Sequence, residues 1–131
     1  MYTIDTNKLT KRNAATVLRR AAALIETSGW HQGDYQNDNG CLCALGAIRV
    51  ACGIKADKWI KQHEHPLIFS VYNTLRSELN GVAIDTWNDR KGTTKEDVVG
   101  AMRQTAAKLD HGRKLLNGPW MDLAKEDRNE S

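Results

Sequence analysis

The sequence predicts an all-α, or mainly α, domain. Two observations carry that expectation. Ala, Leu and Val recur at helical intervals over long stretches. Only two prolines interrupt the 131 residues. That length suits a single domain. Apolar residues make up 40% of the chain and charged ones 27%, enough for a core if the apolar positions are well patterned. The expected architecture is a compact bundle of about four helices around a short buried central helix. Residues 1–110 form the expected helical domain, and residues 111–131 a C-terminal extension, packed in part and then frayed.

The first helix is expected over Thr6–Ser28. Leu9, Ala14, Val17, Leu18, Ala21, Leu24 and Ile25 make its apolar face, and Gly29 stops it. A polar loop over 30–40 follows. Residues Leu42–Ala51 then read as a short helix ending at Gly53, apolar all round except Arg49, and therefore buried. Its small residues Ala44, Gly46 and Ala47 leave room for another element to approach the backbone. One helical turn is expected around Lys58-Trp59-Ile60. Pro66 opens the next helix, with Leu67, Ile68, Val71, Leu75 and Leu79 inward and Asn80-Gly81 as its stop. An extended piece over Val82–Thr86 leads into Trp87-Asn88-Asp89. Thr93 with Glu96, or Thr94 with Asp97, can cap the helix Lys95–Leu109. That helix turns Val98, Val99, Met102, Ala106 and Leu109 inward. Beyond it, Leu115, Leu116, Trp120, Met121 and Leu123 are expected to pack back before the end frays.

Composition narrows the function classes. The net charge is +3 and the pI about 8.8, with basic residues interleaved with acids. A surface that tracks phosphates shows denser clustering on one face. No apolar run approaches the ~20 residues of a membrane span, and the N-terminus has no hydrophobic signal core. A cytoplasmic protein is expected, with Cys41, Cys43 and Cys52 as reduced thiols.

Four constellations carry chemistry. The first is Cys43 at a helix start, where the dipole favours a thiolate. His31 as base and Asn88 or Asp89 as orienter would complete a Cys-His-Asn/Asp site. Against it stands Cys43 as a small buried hydrophobe. The second is metal binding by Cys41, Cys43, His31, His63 and His65. Cys-x-Cys lacks the usual ligand spacing and His63-Glu64-His65 is not HExxH, so no metal and no cofactor is expected. The third is Trp87-Asn88-Asp89, as a ligand wall or as a self-bonded turn. The fourth is anion capture by the N–H groups of the 39–43 turn, helped by Gln32, Asn37 and Arg49. Trp30 and Trp87 are expected as core anchors and Tyr35 as the exposed aromatic.

The succession Gly29-Trp30-x-Gln32-Gly33, Cys43-Ala44-Leu45-Gly46-Ala47-Ile48 and Trp87-Asn88-Asp89, with Thr94 and Val98 following, resembles a family of small uncharacterised proteins of actinobacteria and their phages. The resemblance covers roughly residues 14–107. It implies that Trp30, Gln32, Cys43, Gly46, Asn88 and Asp89 occupy the shared positions. It implies no reaction. This chain departs from the pattern in its short loop 34–39 and in Cys41.

The two loops 29–43 and 86–94 are expected to meet at one end of the bundle, over the start of the buried helix. A pocket lined by Trp30, Gln32, Cys43, Trp87, Asn88 and Asp89 follows, with Tyr35 and Arg49 as further ligand-binding candidates. The leading expectation is a non-enzymatic accessory protein of a phage or mobile element. It would bind a host protein or a small polar, nucleotide-like ligand, with an anti-defence role in view and a homo-oligomer as one state. The alternatives are a cysteine hydrolase or transferase at Cys43, and a weak nucleic-acid binder using Arg19, Arg20, Arg103 and Arg113.

Overall fold

A computed structural model describes residues 4–116. Among them are five α-helices and no strand: α1 (Lys11–Ser28), α2 (Ala44–Ala51), α3 (Pro66–Glu78), α4 (Ile84–Asp89) and α5 (Lys95–Asp110). The mainly helical, single-domain architecture is the expected one. Trp120, Met121 and Leu123, expected to pack back, lie outside the described residues, as does the expected frayed end.

α1 and α5 make the broadest contact, and α1 also packs on α2 and α3. Ion pairs Arg19–Asp110 and Glu26–Arg103 join the two long helices, so they run antiparallel. Between them lie Val17, Leu18, Ala21 and Ile25 of α1 and Val98, Met102, Ala106 and Leu109 of α5, all sealed from solvent. At ~25 cal/mol per Å² of apolar surface, this shared layer stabilises far more than the exposed ion pairs at its edge. Lys11 Nζ donates to the Gly112 carbonyl at 3.3 Å, joining the start of α1 to the end of α5.

Four elements differ from the sequence expectation. α1 begins at Lys11 and not near Thr6, because the Thr10 hydroxyl caps it by accepting from Asn13 N–H at 3.0 Å. The preceding residues serve α3 instead: Thr6 O accepts from Leu67 N–H at 2.9 Å, and Ile4 is buried. The turn expected at Lys58-Trp59-Ile60 is irregular, and the helical turn is a 3-10 turn at Gln62–Glu64. The piece expected as extended over Val82–Thr86 becomes helical from Ile84, which is fully buried, with Asp85 in the favourable first turn. α2 starts at Ala44 and not at Leu42, because Leu42 pairs with Gly29 and His31 and Cys43 becomes the N-cap. The remaining boundaries follow the signals read in the chain. Pro66 opens α3, Asn80 and Gly81 close it at positive φ, and Thr94 with Asp97 forms the capping box of α5.

Helix α2 is the short apolar rod, and even its Arg49 is buried. Gly46 explains how closely it is approached: a Cβ there would stand 2.3 Å from the Tyr35 carbonyl oxygen. The 29–43 loop therefore lies directly on the backbone of α2.

Candidate functional site

The loop after α1 is pinned by its own backbone. Leu42 N–H donates to Gly29 O at 2.9 Å, His31 N–H to Leu42 O at 3.0 Å, and Cys43 N–H to Tyr35 O at 3.1 Å. Residues 41–43 thus act as a central tie with 29–31 on one side and 35–37 on the other. The Asn37 side chain closes the tip by accepting from Asn39 and Cys41 N–H, each within 3.0 Å.

α4 locks onto this loop through one buried residue. The Asn88 side-chain oxygen accepts from Trp30 Nε1 at 2.9 Å and from Ala44 N–H at 3.0 Å. Its amide donates to His31 O at 3.1 Å and to Asp89 Oδ1 at 2.9 Å. Two bonds accepted and two donated satisfy the carboxamide completely. Asp89 Oδ1 also accepts from Gly33 N–H at 2.9 Å, and Gln32 Nε2 donates to the carbonyls of Asn88 and Arg90 at 3.1 and 3.2 Å. The loops 29–43 and 86–94 do converge over the start of α2, as the sequence suggested.

Beside this node lies a recess of about 170 Å³, lined by Gly33, Asp34, Tyr35, Cys43, Leu45, Asp85, Asn88 and Asp89. Five of the expected site residues border it or brace it directly: Tyr35, Cys43, Asn88 and Asp89 line it, and Gln32 braces its wall. Trp30 and Trp87 pack against the hydrophobic core as anchors. Asp34 and Asp85 were not singled out from the sequence, where isolated carboxylates in polar segments carry no signal.

Arg49 corrects the expectation of a ligand-binding group. It is buried, with Nε donating to the Tyr72 hydroxyl at 3.0 Å and Nη1 to Ala56 O at 3.1 Å. Its guanidinium lies 4.3 Å from the centre of the Tyr35 ring. Burial works against this charge, but Tyr72 and Tyr35 more than offset it and hold its pKa above the ordinary value. The expected anion cradle is also spent from within. Asn88 takes the Ala44 N–H, the Cys43 thiol takes the Gly46 N–H, Tyr35 O takes the Cys43 N–H, and Asn37 takes the Cys41 N–H.

Cys43 serves as the N-cap of α2, its sulfur accepting from Gly46 N–H at 3.3 Å. Burial pushes its pKa up, with nearby Asp89 acting the same way, against the lowering by the Gly46 and Leu45 N–H groups and by Arg49. The His31 ring is engaged elsewhere: Nε2 accepts from Asp34 N–H at 3.4 Å. Asn88 holds the His31 carbonyl and not its ring. Among the hydrogen bonds of the described residues none joins Cys43 to His31. Three of the cations considered for nucleic acid are paired: Arg19 with Asp110, Arg103 with Glu26, and Arg113 with Glu78 at 3.0 Å. Among the described residues no three His, Cys, Asp or Glu side chains gather as a metal group, and no helix is long and apolar enough to cross a membrane.

A family model described as a family of unknown function (DUF6197) matches residues 9–108. No curated protein and no solved structure matches the chain.

Proposed function

The chain belongs to this family of unknown function, and we propose from its own geometry that it is a non-enzymatic binding protein. It would hold a cationic group, a lysine or arginine side chain of a host protein or a small amine, in the recess beside Asn88. The observation that carries this reading is the lining: three acidic residues, Asp34, Asp85 and Asp89, border about 170 Å³ of space. Three full negative charges outweigh the roughly half-charge of the α2 N-terminus, so an ammonium or guanidinium suits the recess better than a phosphate. The nucleotide-like ligand first expected has less support for that reason. The recess is also preorganised, since the bonds around Asn88 fix its walls before anything binds. A phage or mobile-element setting, with an anti-defence role inside it, is the part of the proposal that rests on the sequence resemblance alone.

Thermal melts with arginine amide, lysine amide, inorganic phosphate and AMP test the reading. Arginine or lysine amide should raise the Tm, by about 2.7 kcal/mol of added stability at a hundredfold excess over Kd. The double variant Asp34→Asn with Asp85→Asn should keep the fold and lose the gain. A rise with AMP alone, or with none of the four, would overturn it.

The cysteine hydrolase or transferase is the second reading. The raised thiol pKa and the engaged His31 ring support the binding reading over it. Slow alkylation of Cys43 by iodoacetamide at pH 7, accelerated by denaturant, is the expected result; rapid labelling of the native protein would restore the enzyme.

A further inference from the structure

Trp59 is 76% exposed, against 39% for Leu9 and 37% for Tyr35, the other large apolar side chains left open among the described residues. It presents a broad aromatic face to water. Its exposure is built by the chain around it. Ala56 and Ile60 on either side are buried, and Arg49 Nη1 fastens the Ala56 carbonyl at 3.1 Å. Lys58 N–H closes a turn onto Lys55 O at 3.2 Å. Asp57, Lys58 and Trp59 therefore stand out on an arch fixed at both feet.

The charges on this arch are mostly of one sign. Lys55, Lys58 and Lys61 are exposed, and none is in an ion pair among the described residues, whereas Arg19, Arg103, Lys108 and Arg113 are all paired. Lys61 Nζ lies 5.9 Å from the centre of the Trp59 ring. Asp57 is the one acid of the arch, with Glu64 beyond it. The amino foot of the arch shares an open depression of about 520 Å³ with the first loop, lined in part by Gln36, Ile54, Lys55 and Asp57.

We propose that this arch is a docking surface for single-stranded nucleic acid, with a base stacked on Trp59 and backbone phosphates against Lys55, Lys58 and Lys61. Base stacking needs one free aromatic face and nearby cations. An anionic lipid surface or an apolar protein groove would need a continuous apolar face, and here Ile60 turns inward and Ile54 is half-buried. The cations first considered for this role, Arg19 and Arg20 on α1, Arg103 on α5 and Arg113 after it, are not the ones used. The proposal does not depend on the acidic recess.

The test is fluorescence anisotropy of a labelled single-stranded oligothymidylate titrated with the full chain at two salt concentrations. Saturable binding that weakens with salt is expected. Trp59→Ala should weaken it about tenfold or more, and Trp59→Phe should retain most of it. The triple variant Lys55→Ala, Lys58→Ala and Lys61→Ala should reduce the log–log salt slope by about 2. Thermal melts identical to the parent's show that these variants are folded. Absence of binding at low salt, equal binding by a folded Trp59→Ala variant, or Trp59-dependent sedimentation with phosphatidylglycerol vesicles in place of the oligonucleotide would overturn it.

Discussion

The connection between α1 and α2 and the connection between α2 and α3 are both irregular, and they are held in different ways. In the first, polar side chains are consumed by the fold: Asn88 and Gln32 tie it to α4, and Asn37 closes its tip. In the second, Ala56 and Ile60 do the anchoring while Trp59 and the lysines face water. The residues that look most like a catalytic motif are therefore those most occupied with structure. Residues free to meet a partner lie outside that motif, at Asp34 and Asp85 beside it and at Trp59 in a stretch with no motif at all. A fully bonded carboxamide has nothing left to give a ligand, and an exposed indole has everything left.

Substitutions can break this contrast. Asn88→Ala should have the largest effect. It strands the Ala44 N–H and the His31 carbonyl and releases the Trp30 indole, at a cost of about 3–5 kcal/mol in urea unfolding. A loss under 1 kcal/mol would mean that the loop holds without its tie. Next comes Gly46→Ala, where the added Cβ meets the Tyr35 carbonyl and the cost is about 1–3 kcal/mol.

Alkaline pH sharpens the comparison further. Burial pushes the Cys52 thiol from 9.0 up to about 12, with Arg20 opposing, and Cys43 is raised as well. Above pH 9 the unfolded thiols lose protons that the native ones keep. Stability is thus intact below pH 9 and declines as the pH climbs toward 12. Melts between pH 8 and 11 should show this decline, and it should be shallower in Cys52→Ala. The smallest effect belongs to Trp59→Ala, expected within about 0.5 kcal/mol of the parent. A large loss there would assign the indole to the fold and remove the distinction between the two connections.

Much of this was legible in the chain. The apolar periodicity of α1, α3 and α5 survives, except for Leu9, which lies before α1 and is exposed, because each face buries into one shared layer. Pro66, Gly81 and the pair Thr94 with Asp97 act locally, so local sequence suffices to place them. The small residues of α2 signalled a close approach, and Gly46 receives it. What was hidden depends on distant partners. The choice of Thr10 over an earlier cap goes with residues 4–6 serving α3. Helix α4 forms where Ile84 finds the core. Cys43 at a helix start suggested an acidic thiol, but burial outweighs the dipole. Tyr35 is exposed as expected, yet Trp59 exceeds it, because its neighbours Ala56 and Ile60 take the interior places.

The bond from Lys11 to Gly112 has an architectural consequence. It brings the first and last turns of the helical body side by side, so the body behaves as a cassette with adjoining ends. A linker that retains residues 4–10, with new termini opened at the exposed Lys91-Gly92 turn, should give a circular permutant that still folds. The same adjacency would let the module be spliced into a surface loop of another protein without prising that loop apart.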